Sequence, residues 1–163
     1  MSDSEVEIRD AVAGDVPAVH RLIGELAEYE KLRDQMTAAE SDLQAALFGE
    51  APAAGCLVAE VNGSIVGFAL YFRNYSTFVG RQGLYLEDLF VAREQRGRGI
   101  GKRLLAALAR KAVELDCRRV DWAVLDWNEP AIGFYRRIGA TVMPDWRIVR
   151  LEGDAIAELA SEA

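Results

Sequence analysis

Gln95-Arg96-Gly97-Arg98-Gly99-Ile100-Gly101-Lys102 joins a strand-like run, Leu84-Tyr85-Leu86-Glu87-Asp88-Leu89-Phe90-Val91, to a strongly helical one. The helical run extends from Gly99 to Leu115 and sets Leu104, Leu105, Leu108, Ala112 and Leu115 on one face. Glycines in such a loop let the backbone approach a ligand closely. The helix amino terminus adds free N–H groups and the positive end of its dipole. Arg96, Arg98 and Lys102 supply further positive charge. The stretch is a phosphate cradle by construction. Spacing excludes two common versions of it. A nucleotide-binding loop of the Gly-x-x-x-x-Gly-Lys-Ser/Thr form would need glycine at Arg96 and a hydroxyl residue at Arg103. A dinucleotide fingerprint would need glycine at Lys102 if read from Gly97, or at Leu104 if read from Gly99.

Working outward, Val6 to Val12 opens the chain as a half-buried strand. Gly14-Asp15 and Pro17 mark a helix start, and Val16, Val19, Leu22, Ile23 and Leu26 follow at helical spacing to about Leu32. A capping box at Thr37-Ala38-Ala39-Glu40 predicts a second helix through Leu43, Leu47 and Phe48 to Gly49. Cys56 to Val61 and Ile65 to Phe72 flank Asn62-Gly63-Ser64 and read as a hairpin. A loop with Gly80 and Gly83 precedes the strand at Leu84. Beyond the long helix, Val120 to Leu125 is β-rich, and Asn128-Glu129-Pro130 opens a helix that Gly139 ends. Trp146 to Leu151 is expected to close the sheet as a strand, with a short helix after Gly153. With no repeat and no linker, this order predicts one α/β (α+β) domain over residues 1–163. Its sheet is mixed, mostly antiparallel and flanked by helices.

Composition removes whole classes of function. The chain has 163 residues, with 19 Lys plus Arg against 26 Asp plus Glu, a formal charge of -7. A general nucleic-acid binder would need a basic footprint instead. His20 is the only histidine, and Cys56 and Cys117 lie too far apart for a redox or zinc motif. Two reduced, buried thiols and no metal are expected. No run approaches the roughly 20 apolar residues of a membrane span. Met1-Ser2-Asp3-Ser4-Glu5 lacks the features of a signal peptide, so a cytoplasmic location is expected.

Arg96-x-x-Gly99-x-Gly101 resembles the Arg/Gln-x-x-Gly-x-Gly/Ala signature of the GCN5-related N-acetyltransferases. Tyr85-Leu86-Glu87-Asp88, Trp127-Asn128-Glu129-Pro130, Phe134-Tyr135 and Glu25-Leu26-Ala27-Glu28-Tyr29-Glu30-Lys31 are similar to the spermidine/spermine acetyltransferase branch. Ala123-Val124-Leu125-Asp126-Trp127-Asn128 and Tyr75-Ser76-Thr77 lean toward its thialysine-acetylating members. The resemblance implies acetyl-coenzyme A as cosubstrate, a small cationic amine as acceptor and a homodimer. It puts the pyrophosphate on Arg96, Gly97, Arg98, Gly99, Ile100, Gly101 and Lys102, and the pantetheine arm along Leu89, Phe90 and Val91. Asn128, Glu129, Pro130 and Ala131 would line the other wall. On the acceptor side it implies Tyr29, Glu30 and Glu87, with Asp121, Trp122 and Ala123 nearby. Asp145 would stand for an acidic contact in a shortened loop. Asp121 reads equally well as a charge at a strand entry.

Acetylating an amine poses two proton problems. A lysine-like amine of pKa about 10.4 is neutral in only about one molecule in 2,500 at pH 7, a deficit of roughly 4.6 kcal/mol. A thiolate leaving group with a cysteine-like pKa of about 8.5 lacks only about 2 kcal/mol. A carboxylate base is therefore the larger need. Glu87, which interrupts an apolar strand, is the candidate, acting through water. Asp88 is expected to face the opposite side of that strand. The resemblance makes Tyr135 the acid toward sulfur. Lys31 and Arg33 intrude in the acceptor segment, and Phe78 replaces a family tryptophan. Both changes disfavour spermine and favour a shorter amine, such as a lysine analogue or a diamine. A protein lysine or amino terminus is the alternative acceptor, and a coenzyme A sensor without catalysis is the other class.

Overall fold

The computed structural model describes residues 5–163, so the reading of residues 1–4 lies outside it. The chain forms two compact units, the first ending at Ala123 and the second running from Val124 to Ala163.

The first unit is built on a five-stranded sheet in the order β1-β2-β3-β4-β5. The strands are β1 (Val6–Asp10), β2 (Gly55–Val61), β3 (Ser64–Ser76), β4 (Arg81–Val91) and β5 (Val120–Trp122). The first four pair antiparallel and β4 pairs with β5 in parallel. The expected mixed, mostly antiparallel sheet is what forms. Asn62 and Gly63 both take positive φ, 50° and 78°, as a two-residue hairpin turn between β2 and β3 requires.

Helices cover both faces. On one side α1 (Val16–Tyr29) and α2 (Glu40–Phe48) pack Val19, Leu22, Leu43 and Leu47 over Cys56, Val58, Phe68 and Phe90. On the other, α3 (Ile100–Glu114) lies across β1 to β4 and buries Ile100, Leu104 and Leu108. Full burial of each such side chain is worth about 1.5–3 kcal/mol. The start of α1 is fixed by an ion-pair network. Asp15 accepts the Val12 N–H at 2.8 Å and binds the Arg9 guanidinium at 2.7 Å, which also reaches Glu60 at 2.7 Å.

Three expectations are corrected. The α2 helix begins at Glu40, not Thr37, because the Asp42 carboxylate accepts the Ala39 N–H at 2.8 Å and caps the chain there. Cys117 is only half-buried, though both thiols are free. In the second unit α4 (Glu129–Arg137) and α5 (Asp154–Ala160) form, but residues 146–151 are not a strand. The segment's apolar content permits a strand, but only a neighbouring edge can supply its ladder. Trp146 and Val149 are 76% and 92% exposed.

Candidate active site

The phosphate loop has the form its sequence implies. Gly97 and Gly99 hold φ of 81° and 74°, a region that L-residues enter at a cost. A Cβ built on either meets nothing within 4 Å, so the concavity beside them is open. The first helical bond of α3 runs from the Arg103 N–H to the Gly99 carbonyl at 3.0 Å. The N–H groups of Ile100, Gly101 and Lys102 therefore point off the helix end, where an anion is stabilised. Arg98 and Lys102 are exposed on this loop, and Arg98 donates to Gln95. These residues fit a pyrophosphate.

Arg96 connects the loop to the rest of the site. Its Nε donates to the Val91 carbonyl at 3.1 Å, and its guanidinium lies 4.9 Å from the Tyr29 ring and 5.3 Å from the Phe90 ring. Such stacking contributes about 0.5–2 kcal/mol, more as the site dries. It ties the carboxyl end of α1, where Tyr29 and Glu30 sit, to the end of β4.

The β4 strand changes character midway. Its pairing with β5 ends at Leu86, opposite Trp122, so Leu89, Phe90 and Val91 lie beyond the last paired position on that side. Strand backbone left so can accept a linear amide chain by strand-like hydrogen bonds. On the other edge the register slips: Leu86 pairs with Tyr71, but Asp88 pairs with Leu70. Glu87 is the extra residue of a β-bulge.

That bulge overturns one expectation. Leu84 and Leu86 share the α3 side with Arg73 and Tyr71, whereas Asp88 and Phe90 share the α1 side with Leu70 and Phe68. Tyr85, stacked 5.1 Å from Phe72, faces the α1 side too, and Glu87 follows it by the two-residue alternation. Glu87 and Asp88 thus point the same way. A strict period of two had set them on opposite faces.

The environment of the two acids differs. Glu87 is exposed and Asp88 half-buried. Burial raises the Asp88 carboxyl to about 7, helped by the charges of Glu87 and then Glu30. Burial raises Glu30 as well. Asp121 lies opposite Tyr85 on the same face, and its carboxylate also meets the Arg119 Nε at 3.5 Å, so both readings of it remain open. Trp122 is half-buried beside it, and Ala123 is exposed past the strand end. Arg33 folds back on α1, donating to the Met36 sulfur at 3.3 Å. A Cβ on Gly24 would stand 2.3 Å from its Nη1. A larger residue at 24 would push the flexible end of that side chain aside.

In the second unit the Asn128 Oδ1 accepts the Ala131 N–H at 3.4 Å and caps α4, with Glu129 and Pro130 in its first turn. Tyr135 is half-buried on the same helix, its ring 5.6 Å from that of Phe134. Asp145 is exposed in a turn. Sequence reasoning set Asp88 aside because strict alternation faces it away from Glu87, and the bulge that turns both acids to one side is not visible within the strand.

A helix end with free N–H groups thus lies close in sequence after a strand that parts from its neighbour, an arrangement suited to an anionic ligand with an extended arm. Residues 25–140 match the model of the Acetyltransferase (GNAT) family, and the chain belongs to that family of acetyltransferases. It is 44% identical to a thialysine N-epsilon-acetyltransferase from Bos taurus, covering 96% of this chain and 98% of that protein. An L-ornithine N5-acetyltransferase from Arabidopsis thaliana is 34% identical over 91% of this chain and 85% of its own. Among solved structures, an integron cassette protein from the mobile metagenome of V. cholerae superposes with a TM-score of 0.78 at 31% identity, covering 95% and 97% of the two chains.

Proposed function

We propose that this chain transfers the acetyl group of acetyl-coenzyme A directly to the primary amine of a small molecule, a lysine analogue such as thialysine, a diamine or a polyamine. The observation that carries this reading is the acidic face at the β4 bulge, where Glu87, Asp88 and Glu30 lie together at the end of the phosphate loop's strand. An ammonium is attracted there and can lose its proton there. Relatives named for thialysine and ornithine acetylation support the acceptor class. Arg33, held against Gly24, keeps a positive charge on α1 and favours a short amine over spermine.

In this reading Arg96 and the loop from Gly97 to Lys102 hold the pyrophosphate, and Leu89, Phe90 and Val91 offer backbone groups to the pantetheine arm. Asn128, Glu129, Pro130 and Ala131 are assigned to the cofactor as well, on the family resemblance of their motif. Tyr29, Glu30, Glu87, Asp121, Trp122, Ala123 and Asp145 serve the acceptor. The neutral amine attacks the thioester carbonyl carbon, the C–S bond breaks, and Tyr135 gives its proton to sulfur. The amide nitrogen sheds its second proton as the intermediate collapses. The base is a carboxylate of the acidic face, for which the sequence nominates Glu87 acting through water.

The whole chain acts as one N-acetyltransferase domain, a reading supported by a family match that runs through both compact units. We propose a homodimer, supported by the exposed apolar side chains of Trp146, Ile148, Val149 and Leu151. Cytoplasmic residence is in keeping with two free cysteines.

Thiol release from acetyl-coenzyme A across thialysine, lysine, ornithine, diamines, spermine and a lysine peptide tests the reading. Release with short amines is expected. Release with the peptide alone would overturn the acceptor class, and release with none would favour a sensor.

A further inference from the structure

We propose that Asp88 is the carboxylate that takes the proton from the acceptor ammonium, with exposed Glu87 serving as the counter-charge that draws the ammonium in. The inference rests on the amine-acetylating reading above and assigns its proton transfer to a different atom.

The geometry comes from the bulge. Because Asp88 pairs with Leu70 while Leu86 pairs with Tyr71, Asp88 shares the α1 face with Tyr85, Glu87 and Phe90. It immediately precedes Leu89, Phe90 and Val91, the backbone beyond the last position paired with β5. A bulge re-aims a side chain and locally breaks the ladder, and such irregularities concentrate beside active sites. Under unbroken alternation from Leu84 and Leu86, Asp88 would instead sit in the apolar layer under α3.

Its surroundings suit proton transfer better than those of Glu87. Glu87 is exposed, so its carboxylate stays hydrated and is placed to meet an incoming ammonium. Asp88 is half-buried, and the charged groups that act on it are both acids: Glu87 from its own strand and Glu30 from the end of α1. Tyr85 on β4 and Cys56 on β2 face the same region, and both are pushed upward and stay neutral at pH 7. Arg96 is turned to the Val91 carbonyl and the rings of Tyr29 and Phe90. A base poised near neutrality gives the best product of ionised fraction and basicity.

The protons balance. The ammonium gives one proton to the Asp88 carboxylate, the amine adds to the carbonyl carbon, and the C–S bond breaks. The second nitrogen proton replaces the one lost from the tyrosine that protonates sulfur. Asp88 then returns its own proton to water. The net products are the acetylated amine, the free thiol and one released proton.

Two measurements on the full chain decide it. Carbon-13 carboxyl NMR, assigned with Asp88→Asn, should place the Asp88 midpoint near 7 and lower it in Glu87→Gln. A midpoint in the ordinary carboxylate range near 4 would overturn the proposal. With thialysine as acceptor, wild-type kcat/KM should fall on an acid limb. Asp88→Asn should abolish that limb with about 100-fold lower kcat, and Glu87→Gln should move it to lower pH while mainly raising the amine KM. If Asp88→Asn keeps rate and limb, or Glu87→Gln alone removes the limb, Glu87 is the base. If only the peptide is acetylated, the acceptor reading fails, and the same profiles taken with the peptide judge Asp88. No thiol release with any acceptor overturns both.

Discussion

Glu87 and Asp88 are adjacent in the chain and point to the same side of β4, because the register to β3 slips between Leu70 and Tyr71. One acid is exposed to solvent and the other half-buried. On that asymmetry rests the proposed division of labour, in which the exposed acid attracts the cation and the half-buried one deprotonates it.

Gly99→Ala separates the fold's use of the phosphate loop from the ligand's. At φ 74° an alanine costs about 1–2 kcal/mol, and its methyl projects into the open concavity. The expected result is a lower Tm and a KM for acetyl-coenzyme A raised about tenfold, roughly the 1.4 kcal/mol that one lost close contact represents. Gly14→Ala, also in open space but without positive φ, should leave both unchanged. An unaltered KM in Gly99→Ala would remove the loop from cofactor binding.

Tyr135→Phe tests the acid toward sulfur. The thiolate lacks about 2 kcal/mol at pH 7, so kcat should fall about 30-fold. The KM for acetyl-coenzyme A should stay within about twofold, since a ring of the same shape remains. Steady-state kinetics with unchanged kcat would end that role.

Asp15 makes stability depend on pH in a defined direction. The Arg9 side chain, opposed by burial, and the Val12 N–H together hold its carboxyl below the usual range. A depressed folded pKa stabilises above the unfolded value near 3.9 and is lost as pH falls through the folded pKa. Asp15→Asn should therefore cost about 1.5–3 kcal/mol at pH 7, the usual worth of hydrogen bonds to charged groups. Urea unfolding at pH 7 and again below pH 3 should show that cost shrinking. An equal cost at both would assign it to packing.

The two thiols should react unequally. Burial, reinforced by Asp15, Asp88 and Asp10, pushes Cys56 up to about 12, while Cys117 is half-buried. Only the thiolate is nucleophilic. One equivalent of an alkylating reagent should be taken up at pH 8 by native protein, at Cys117, and the second only in denaturant. Equal native rates, read by peptide mass, would contradict the burial of Cys56.

The sequence by itself determined whatever local chemistry decides. Asn62-Gly63 could only make its tight turn, Gly97 and Gly99 could only permit a loop at positive φ, and Asn128 capped the helix that follows it. The apolar spacing of α1 and α3 named the faces they bury. The motifs around Tyr29, Glu30, Glu87 and Tyr135 were legible too, since they carry the resemblance to the acetyltransferase family that residues 25–140 match.

The tertiary structure decided what depends on a partner distant in sequence. Pairing register is a property of two strands, so nothing within 84–91 announces that Leu70 and Tyr71 will shift the ladder and turn Asp88 toward α1. Residues 146–151 are mostly apolar, as a strand could be, yet strand structure needs a ladder that the segment cannot supply alone. The start of α2 moved because the Asp42 carboxylate reached the Ala39 N–H, a choice between two local caps that packing resolved. Acidity followed the same rule. Glu87 and Asp88 are chemically alike as a sequence, and only burial, with the charges of Glu87 and Glu30 beside it, raised the Asp88 carboxyl.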